Sequence, residues 1–303
     1  MKVVERKVQA IAGSLLVTLP KGWTKSVNLK KGSLLRFAIT PGGTVMITPD
    51  IITQQDERKK SVIEYDEHIL RRFFREYFMG NEEIVIKLPK KISADEKKEL
   101  YAFLKKFMNV QIIEETEQRI VLKSFKIEEL SIEDCLKRMF YLTLNMLDEL
   151  KGENDKLKLQ ELERNVKRFY YMLVMQIRRF MGEGKFAEQN QIGLVRAMDY
   201  RMTGMKVDDI ADIMLAFEDI KSQSIRNMLN ETAEFYKRAF LSFINNDFDK
   251  ALKLWSEERV LEKKYSMLID DIRKRKNIDD YKQACDLLQV MKLARRVSML
   301  VRG

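Results

Sequence analysis

The sequence predicts a multidomain chain with three parts: a small β-rich unit over residues 1–50, a small α/β unit over 51–128, and an all-α region over 129–303. Three observations predict this layout. All four prolines, Pro20, Pro41, Pro49 and Pro89, lie in the first 90 residues, which leaves the remainder free to be helical throughout. Short β-prone runs punctuated by Pro and Gly turns fill the first 50 residues. Beyond residue 129 the apolar residues recur at spacings of three and four, the stripe of a helix with one buried face.

The β-rich unit is read in order. Leu15 to Leu19 is a compact strand-prone run ending at Pro20, and Arg6 and Lys7 are expected on a first strand before it. Pro20-Lys21-Gly22-Trp23 opens a turn and one or two helical turns to Val27. Lys30-Lys31-Gly32 is a second turn, and Leu34 to Ile39 a further strand. Pro41-Gly42-Gly43 reads as a hairpin turn, because glycine accepts the positive φ that tight turns need. Val45-Met46-Ile47 returns and Pro49 stops it. A unit this small cannot bury a good core alone, and short strands with open edges invite pairing with another chain. Size alone therefore predicts a homodimer.

In the α/β unit the pattern predicts a helix over Ser61 to Met79, with Ile69, Leu70, Phe73, Phe74, Tyr77 and Phe78 as its apolar face. A strand follows over Glu83 to Leu88. Ser93 and Glu96 form a capping box for a helix over Ala94 to Met108. Val110 to Glu114 and Arg119 to Phe125 read as a hairpin.

The all-α region reads as two tandem three-helix units of similar length, 129–217 and 220–303. The stripes Ile132-Leu136-Met139-Thr143-Met146-Leu150 and Leu159-Leu162-Val166-Phe169-Leu173-Ile177-Phe180 mark the first two helices. Gly152 with Asn154, then Gly182 and Gly184, mark turns. A third helix is expected over Glu188 to Phe217, with Val195, Met198, Met202, Ile210, Ile213 and Phe217 as core candidates. The second set is expected near 220–246, Phe248–Lys276 and Asp279–Val301, broken at Asn245-Asn246-Asp247.

The charge is unevenly distributed. The formal net charge is +10. Residues 1–50 hold Lys2, Arg6, Lys7, Lys21, Lys25, Lys30, Lys31 and Arg36 against Glu5 and Asp50, so a surplus of six sits in the first sixth of the chain. A local basic excess points to a polyanion, nucleic acid first. Arg6, Lys7, Lys21, Lys25, Lys30 and Lys31 are the candidate phosphate contacts, each duplicated on one side of a β platform in a symmetric dimer.

Other chemistry is sparse. The two cysteines, Cys135 and Cys285, form no CxxC pair and read as small buried apolar residues in a reducing compartment. No leading apolar run resembles a signal peptide, and no uncharged stretch is long enough to span a bilayer, so a cytoplasmic protein is expected. The single histidine, His68, sits on an amphipathic helix and reads as a surface or boundary residue. There is no nucleophile elbow and no glycine-rich phosphate loop after a strand. The chain reads as a non-enzyme without a cofactor. Asp208 with Asp212, and Glu258 with Glu262, have the i, i+4 spacing that places two carboxylates on one helix face. Such a pair can hold a hard cation or sit as a face balanced by nearby Lys and Arg. The 17 methionines mostly fall at apolar helix positions and read as flexible core filling.

Two family resemblances follow from the motifs. Ser14-Leu15-Leu16-Val17-Thr18-Leu19-Pro20-Lys21-Gly22-Trp23, then Asn28-Leu29-Lys30-Lys31-Gly32-Ser33, then Pro41-Gly42-Gly43 and Ile47-Thr48-Pro49, resemble the AbrB/MazE/SpoVT swapped-hairpin domain. That resemblance implies an intertwined β-barrel dimer of hairpins that binds double-stranded DNA through its basic face. The rest resembles the PhoU family in its archaeal-type form, which carries such a domain in front. The segments are Val110-Gln111-Ile112-Ile113-Glu114-Glu115-Thr116, Ile120-Val121-Leu122, Lys137-Arg138-Met139 and Asn145-Met146-Leu147. The two together imply a transcriptional regulator of phosphate uptake or metabolism. The alternative they leave open is an adaptor whose helical region holds a transporter subunit or a signalling kinase. PhoU-like repeats commonly carry a Glu-Arg-Ile-Gly-Asp-His-like segment whose acids help bind metal. Here the first repeat reads Met205-Lys206-Val207-Asp208-Asp209-Ile210, so Asp209 matches and Met205 replaces the glutamate. Asp208, Asp209 and Asp212 are the residues a metal ion would use. The second repeat reads Ala294-Arg295-Arg296-Val297-Ser298-Met299 and lacks both acids.

Overall fold

The computed structural model describes residues 4–39, 43, 45–49, 60–89, 92–125, 127, 130–183 and 193–302. Pro41, Gly42 and Gly184, and residues 188–192 at the expected start of the third helix, lie outside the described residues. The described residues divide into two compact units, the first ending before residue 58.

The N-terminal unit contains two separate hairpins joined through a short helix. β1 (Gln9–Ile11) pairs antiparallel with β2 (Ser14–Leu16) across Ala12-Gly13. Both turn residues have positive φ, +47° and +81°, which is the geometry whose twist matches a two-residue hairpin. α1 (Lys21–Ser26) follows Pro20, its N-cap, whose φ is −63°, and the chain turns away two residues past its end at Asn28, with φ +50°. β3 (Leu35–Ile39) pairs antiparallel with β4 (Val45–Pro49), placing Phe37 opposite Ile47 and Ile39 opposite Val45. Two expectations change here. Arg6 and Lys7 precede β1 instead of lying on it, and the strand expected through Leu19 stops at Leu16. A three-residue pairing is all that the tight Ala12-Gly13 turn supports before the chain leaves for Pro20.

The second unit opens with a four-stranded sheet. β5 (Lys60–Glu64), α2 (Ile69–Phe78), β6 (Glu83–Lys87), α3 (Ala94–Leu104), β7 (Val110–Glu115) and β8 (Arg119–Ser124) follow one another, and the sheet order is β5-β6-β8-β7. β5 and β6 are parallel and the other pairs antiparallel. The helix expected from Ser61 is thus a strand at its start. Ser61-Val62-Ile63 is β-prone, and Asp66 stops it: its carboxylate accepts the His68 N–H at 2.9 Å and holds Arg72 at 2.6 Å. Of the expected apolar face of α2, Ile69, Phe73 and Tyr77 are buried, while Leu70 is exposed. The Ser93–Glu96 capping box forms, but α3 ends at Leu104, and Phe107 turns into the core instead. That core is aromatic: Phe73 and Phe74 meet Phe103 and Phe107, and Tyr171 of the helical region stacks on Phe107 at 5.0 Å. The buried Tyr77 hydroxyl donates to Asn109 Oδ1 at 2.8 Å, and Asn109 donates on to Ser124, so the polar groups in the core are satisfied.

Six long helices follow: α4 (Ile132–Lys151), α5 (Lys156–Glu183), α6 (Leu194–Leu215), α7 (Gln223–Ile244), α8 (Phe248–Lys274) and α9 (Ile278–Ser298). α4, α5 and α6 pack on one another, as do α7, α8 and α9, and the two sets meet where α4 touches α7 and α6 touches α9. Ser131, Asp247 and Asn277 cap α4, α8 and α9 through side-chain oxygens. Phe140 and Phe240 stack at 3.9 Å across the α4–α7 contact. Gly182, expected as a turn, lies inside α5. The core of α6 also differs from expectation. Ile210 and Phe217 are buried, but Val195, Met198 and Met202 are 57 %, 51 % and 42 % exposed. The buried face instead uses Ala197, Tyr200, Thr203, Gly204, Val207 and Ala211, mostly small residues that let α6 approach its neighbours closely.

Candidate functional site

Six basic residues of the N-terminal unit, Arg6, Lys7, Lys21, Lys25, Lys30 and Lys31, are all solvent-exposed, and none of these six forms an ion pair among the described residues. Arg6 makes one local bond, from Nη1 to the Glu5 carbonyl at 3.0 Å. Lys21 opens α1 and Lys25 sits in its last turn, so the two share one short helix. Lys30 and Lys31 occupy the turn after α1. That turn is held by the Ser33 Oγ, which accepts the Lys30 N–H at 2.9 Å, and by the Ser33 N–H, which donates to the Lys30 carbonyl at 3.0 Å. The pinned backbone fixes where the two lysines leave the chain while their side chains stay free.

The described apolar side chains around them do not form a buried core. No residue from 4 to 39 whose burial is described is buried, nor is any in β4. Leu15, Phe37 and Ile39 are 77 %, 61 % and 72 % exposed. β1–β2 and β3–β4 do not share a sheet, so each hairpin presents open edges.

The carboxylates of α6 have a different setting. Lys167, on α5, puts its ammonium 2.7 Å from Asp212 Oδ1, 3.1 Å from Asp208 Oδ1 and 3.6 Å from Glu163 Oε1. Burial alone would lower the lysine's pKa, but the hydrogen bond to Asp212 and the charges of Asp208 and Asp212 outweigh it and hold it above the ordinary value. Burial pushes Asp208 up to about 6 against the pull of Lys167. Asp209 is raised as well, first by burial and then by Asp212. The structure thus brings Asp208 and Asp212 together on a lysine, while Asp209 is exposed beside them. An ammonium at the focus of the carboxylates leaves no vacancy for a hard cation, so this donor set does not fit a metal ion as arranged. Among the described residues no group of three or more His, Cys, Asp or Glu is arranged to hold one. The second i, i+4 pair is also matched by cations: Glu258 with Arg295 at 3.0 Å and Glu262 with Lys292 at 2.8 Å.

The remaining reactive groups are quiet. Cys135 is fully buried, its thiol donates to Gln176 Oε1 at 3.3 Å, and burial pushes its pKa up to about 12. Cys285 is half-buried. His68 is the residue before α2, exposed, with no side-chain capping bond. Among the described residues no helix is long and apolar enough to cross a membrane. Sequence reading missed one cationic group outside the N-terminal unit, the lysine doublets Lys97-Lys98 in the first half of α3 and Lys105-Lys106 at its C-terminal end. Their spacing of eight residues was the available signal.

No protein-family model, no curated protein and no solved structure matches the chain.

Proposed function

We propose that this protein is a non-enzymatic, DNA-binding transcriptional regulator that works as a homodimer through its N-terminal unit. The observation that carries the reading is that no residue of that unit whose burial is described is buried. Two hairpins with exposed Leu15, Phe37 and Ile39 are unstable alone in water, and a second copy of the same hairpins would cover those side chains. The dimer would then display Arg6, Lys7, Lys21, Lys25, Lys30 and Lys31 twice. Among the described residues none of these cations is paired with a carboxylate, so their charge is available to DNA phosphates. The likeness of residues 14–49 to swapped-hairpin DNA-binding domains supports the same arrangement. The likeness of the helical region to PhoU proteins makes genes of phosphate uptake or metabolism the expected targets.

The test is a salt titration of duplex binding. With about six phosphates neutralised, affinity should fall about a thousandfold between roughly 50 and 200 mM salt. Lys21→Glu and Lys25→Glu should weaken binding most. Flat affinity across that range, or unchanged binding in both variants, would sink the reading. Footprinting in phosphate-replete and phosphate-starved cells then reads the target genes.

One observation favours a second reading, an adaptor that holds a protein partner. Val195, Met198 and Met202 form an exposed apolar stripe on α6, a type of surface that accommodates varied partners. A pull-down recovering transporter or kinase components, with protein that ignores duplex DNA, would favour it over the first.

A further inference from the structure

A cleft of about 790 Å³ opens between α3 and α5, within the second unit. Its wall is strongly cationic. Lys98, Lys105, Lys106 and Arg164 line it, and none of their four side chains makes a hydrogen bond or ion pair among the described residues. The other charges at the cleft are already matched: Lys97 is 2.5 Å from Glu115, and Glu163 faces Lys167 at 3.6 Å. An adjoining cleft shares Tyr101 and Lys105 and adds Arg168, whose Nε is buried without a hydrogen-bond partner. Four cationic side chains without an internal partner around one cleft repel one another, a costly arrangement unless an anion completes it.

We propose that this cleft binds a polyphosphate chain, free or carried by a nucleoside. Lys98 and Lys105 are seven residues apart on one helix face, about 10 Å along its axis. A single phosphate cannot meet both ends of that row, whereas a chain of three phosphates can. Lysine supplies mobile point charges, and Arg164 and Arg168, one helical turn apart on α5, supply planar forks matched to phosphate oxygens. The volume is that of a small-molecule site, and the lining includes the Tyr101 side chain and the apolar stems of the lysines as well as their charges.

The experiment is calorimetric titration of the full chain with tripolyphosphate and, separately, with ATP, both without divalent metal. Lys105→Ala/Arg164→Ala removes two exposed side chains with no internal bonds, so the fold should survive, as melting temperature will show. Saturable binding that weakens at least about tenfold in this double variant, and not in Lys21→Ala/Lys25→Ala, supports the site. ATP binding much more tightly than tripolyphosphate identifies the nucleoside-borne chain; equal affinities identify the free one. The proposal is overturned by no saturable binding, by binding that the cleft variant leaves intact, by loss in the Lys21/Lys25 variant instead, or by equal competition from sulfate at matched ionic strength. Preference for a single-stranded oligonucleotide over both ligands overturns it as well.

Discussion

The hydroxyls of Thr143 and Tyr236 meet 2.7 Å apart in a fully buried site where α4 touches α7. Thr143 Oγ1 donates to the Phe140 carbonyl at 2.8 Å, so the Tyr236 hydroxyl is the donor in the pair. The contact therefore has a direction, and the two ends are not equivalent. Tyr236→Phe leaves a threonine that still makes its own bond and should cost about 1 kcal/mol. Thr143→Val leaves a buried tyrosine O–H with no acceptor and should cost about 2 kcal/mol or more. Urea denaturation of the two variants checks the order; a reversed order would mean that the proton sits on the other oxygen.

Gly204 of α6 packs where no side chain fits. A Cβ there would lie 2.3 Å from Leu173 Cδ2 and 3.8 Å from Leu136 Cδ1, and Leu173 is fully buried. Alanine would gain about 1 kcal/mol of helix propensity but overpack the α5–α6 contact by roughly 1–3 kcal/mol. Gly204→Ala is expected to lower the melting temperature, and Leu173→Ala should cost less in that background than in the parent protein. Strict additivity in that cycle would show that the two positions do not share the space.

These contacts show what was legible in the sequence. The stripes of α4 and α5 appeared because one face of each is buried by Leu, Ile, Val and Met at regular spacing, as with Leu136, Met139 and Met146. α6 was misread because it is buried by small residues around Gly204 while its methionines face outward, and hydropathy weights a methionine above a glycine. β5 was hidden for a related reason: its apolar residues run directly into the stripe of α2, and the break rests on one side chain, Asp66. In the N-terminal unit, the excess charge and the turn at Lys30-Lys31-Gly32 were legible from composition. The Ala12-Gly13 hairpin was not, because alanine at positive φ is not a turn signal. Lys167 could not be assigned to Asp208 and Asp212 from a sequence separation of more than 40 residues; only the packing of α5 on α6 brings them together.

The Lys167 cluster makes stability depend on pH in a definite direction. Asp208 has a folded pKa of about 6, above its ordinary value of 3.8. The folded state thus holds the extra proton between those values, and the group's contribution is fully present below pH 4 and lost as pH rises through 6. Lys167→Met removes the cation that limits this rise. The Asp208 pKa should climb further, so the variant should keep losing stability between pH 7 and 8, where this group has nearly finished changing in the parent. At neutral pH the cost should be about 3 kcal/mol, the scale for leaving buried charge unpaired. Unfolding free energies at pH 5, 6, 7 and 8 test it, and parallel curves for parent and variant would show that Lys167 does not set the carboxylate's ionisation.

Phe37 tests the pairing of the N-terminal unit directly. It lies opposite Ile47 in the β3–β4 hairpin and is 61 % exposed, so within one chain a charge there stays largely hydrated. If a second copy covers that face, Phe37→Asp buries an unpaired carboxylate at the contact and should prevent association. Sedimentation should then show a monomer with unchanged helical content, because α4 to α9 have their own core in the second unit. DNA affinity should fall by about a hundredfold or more, since two half-sites would no longer be bound by one particle. Arg6→Gln should behave differently, leaving the particle dimeric and reducing the salt slope by about one. A Phe37→Asp protein that sediments as the parent does, and binds duplex as tightly, would mean that the exposed hairpins are not where two copies meet.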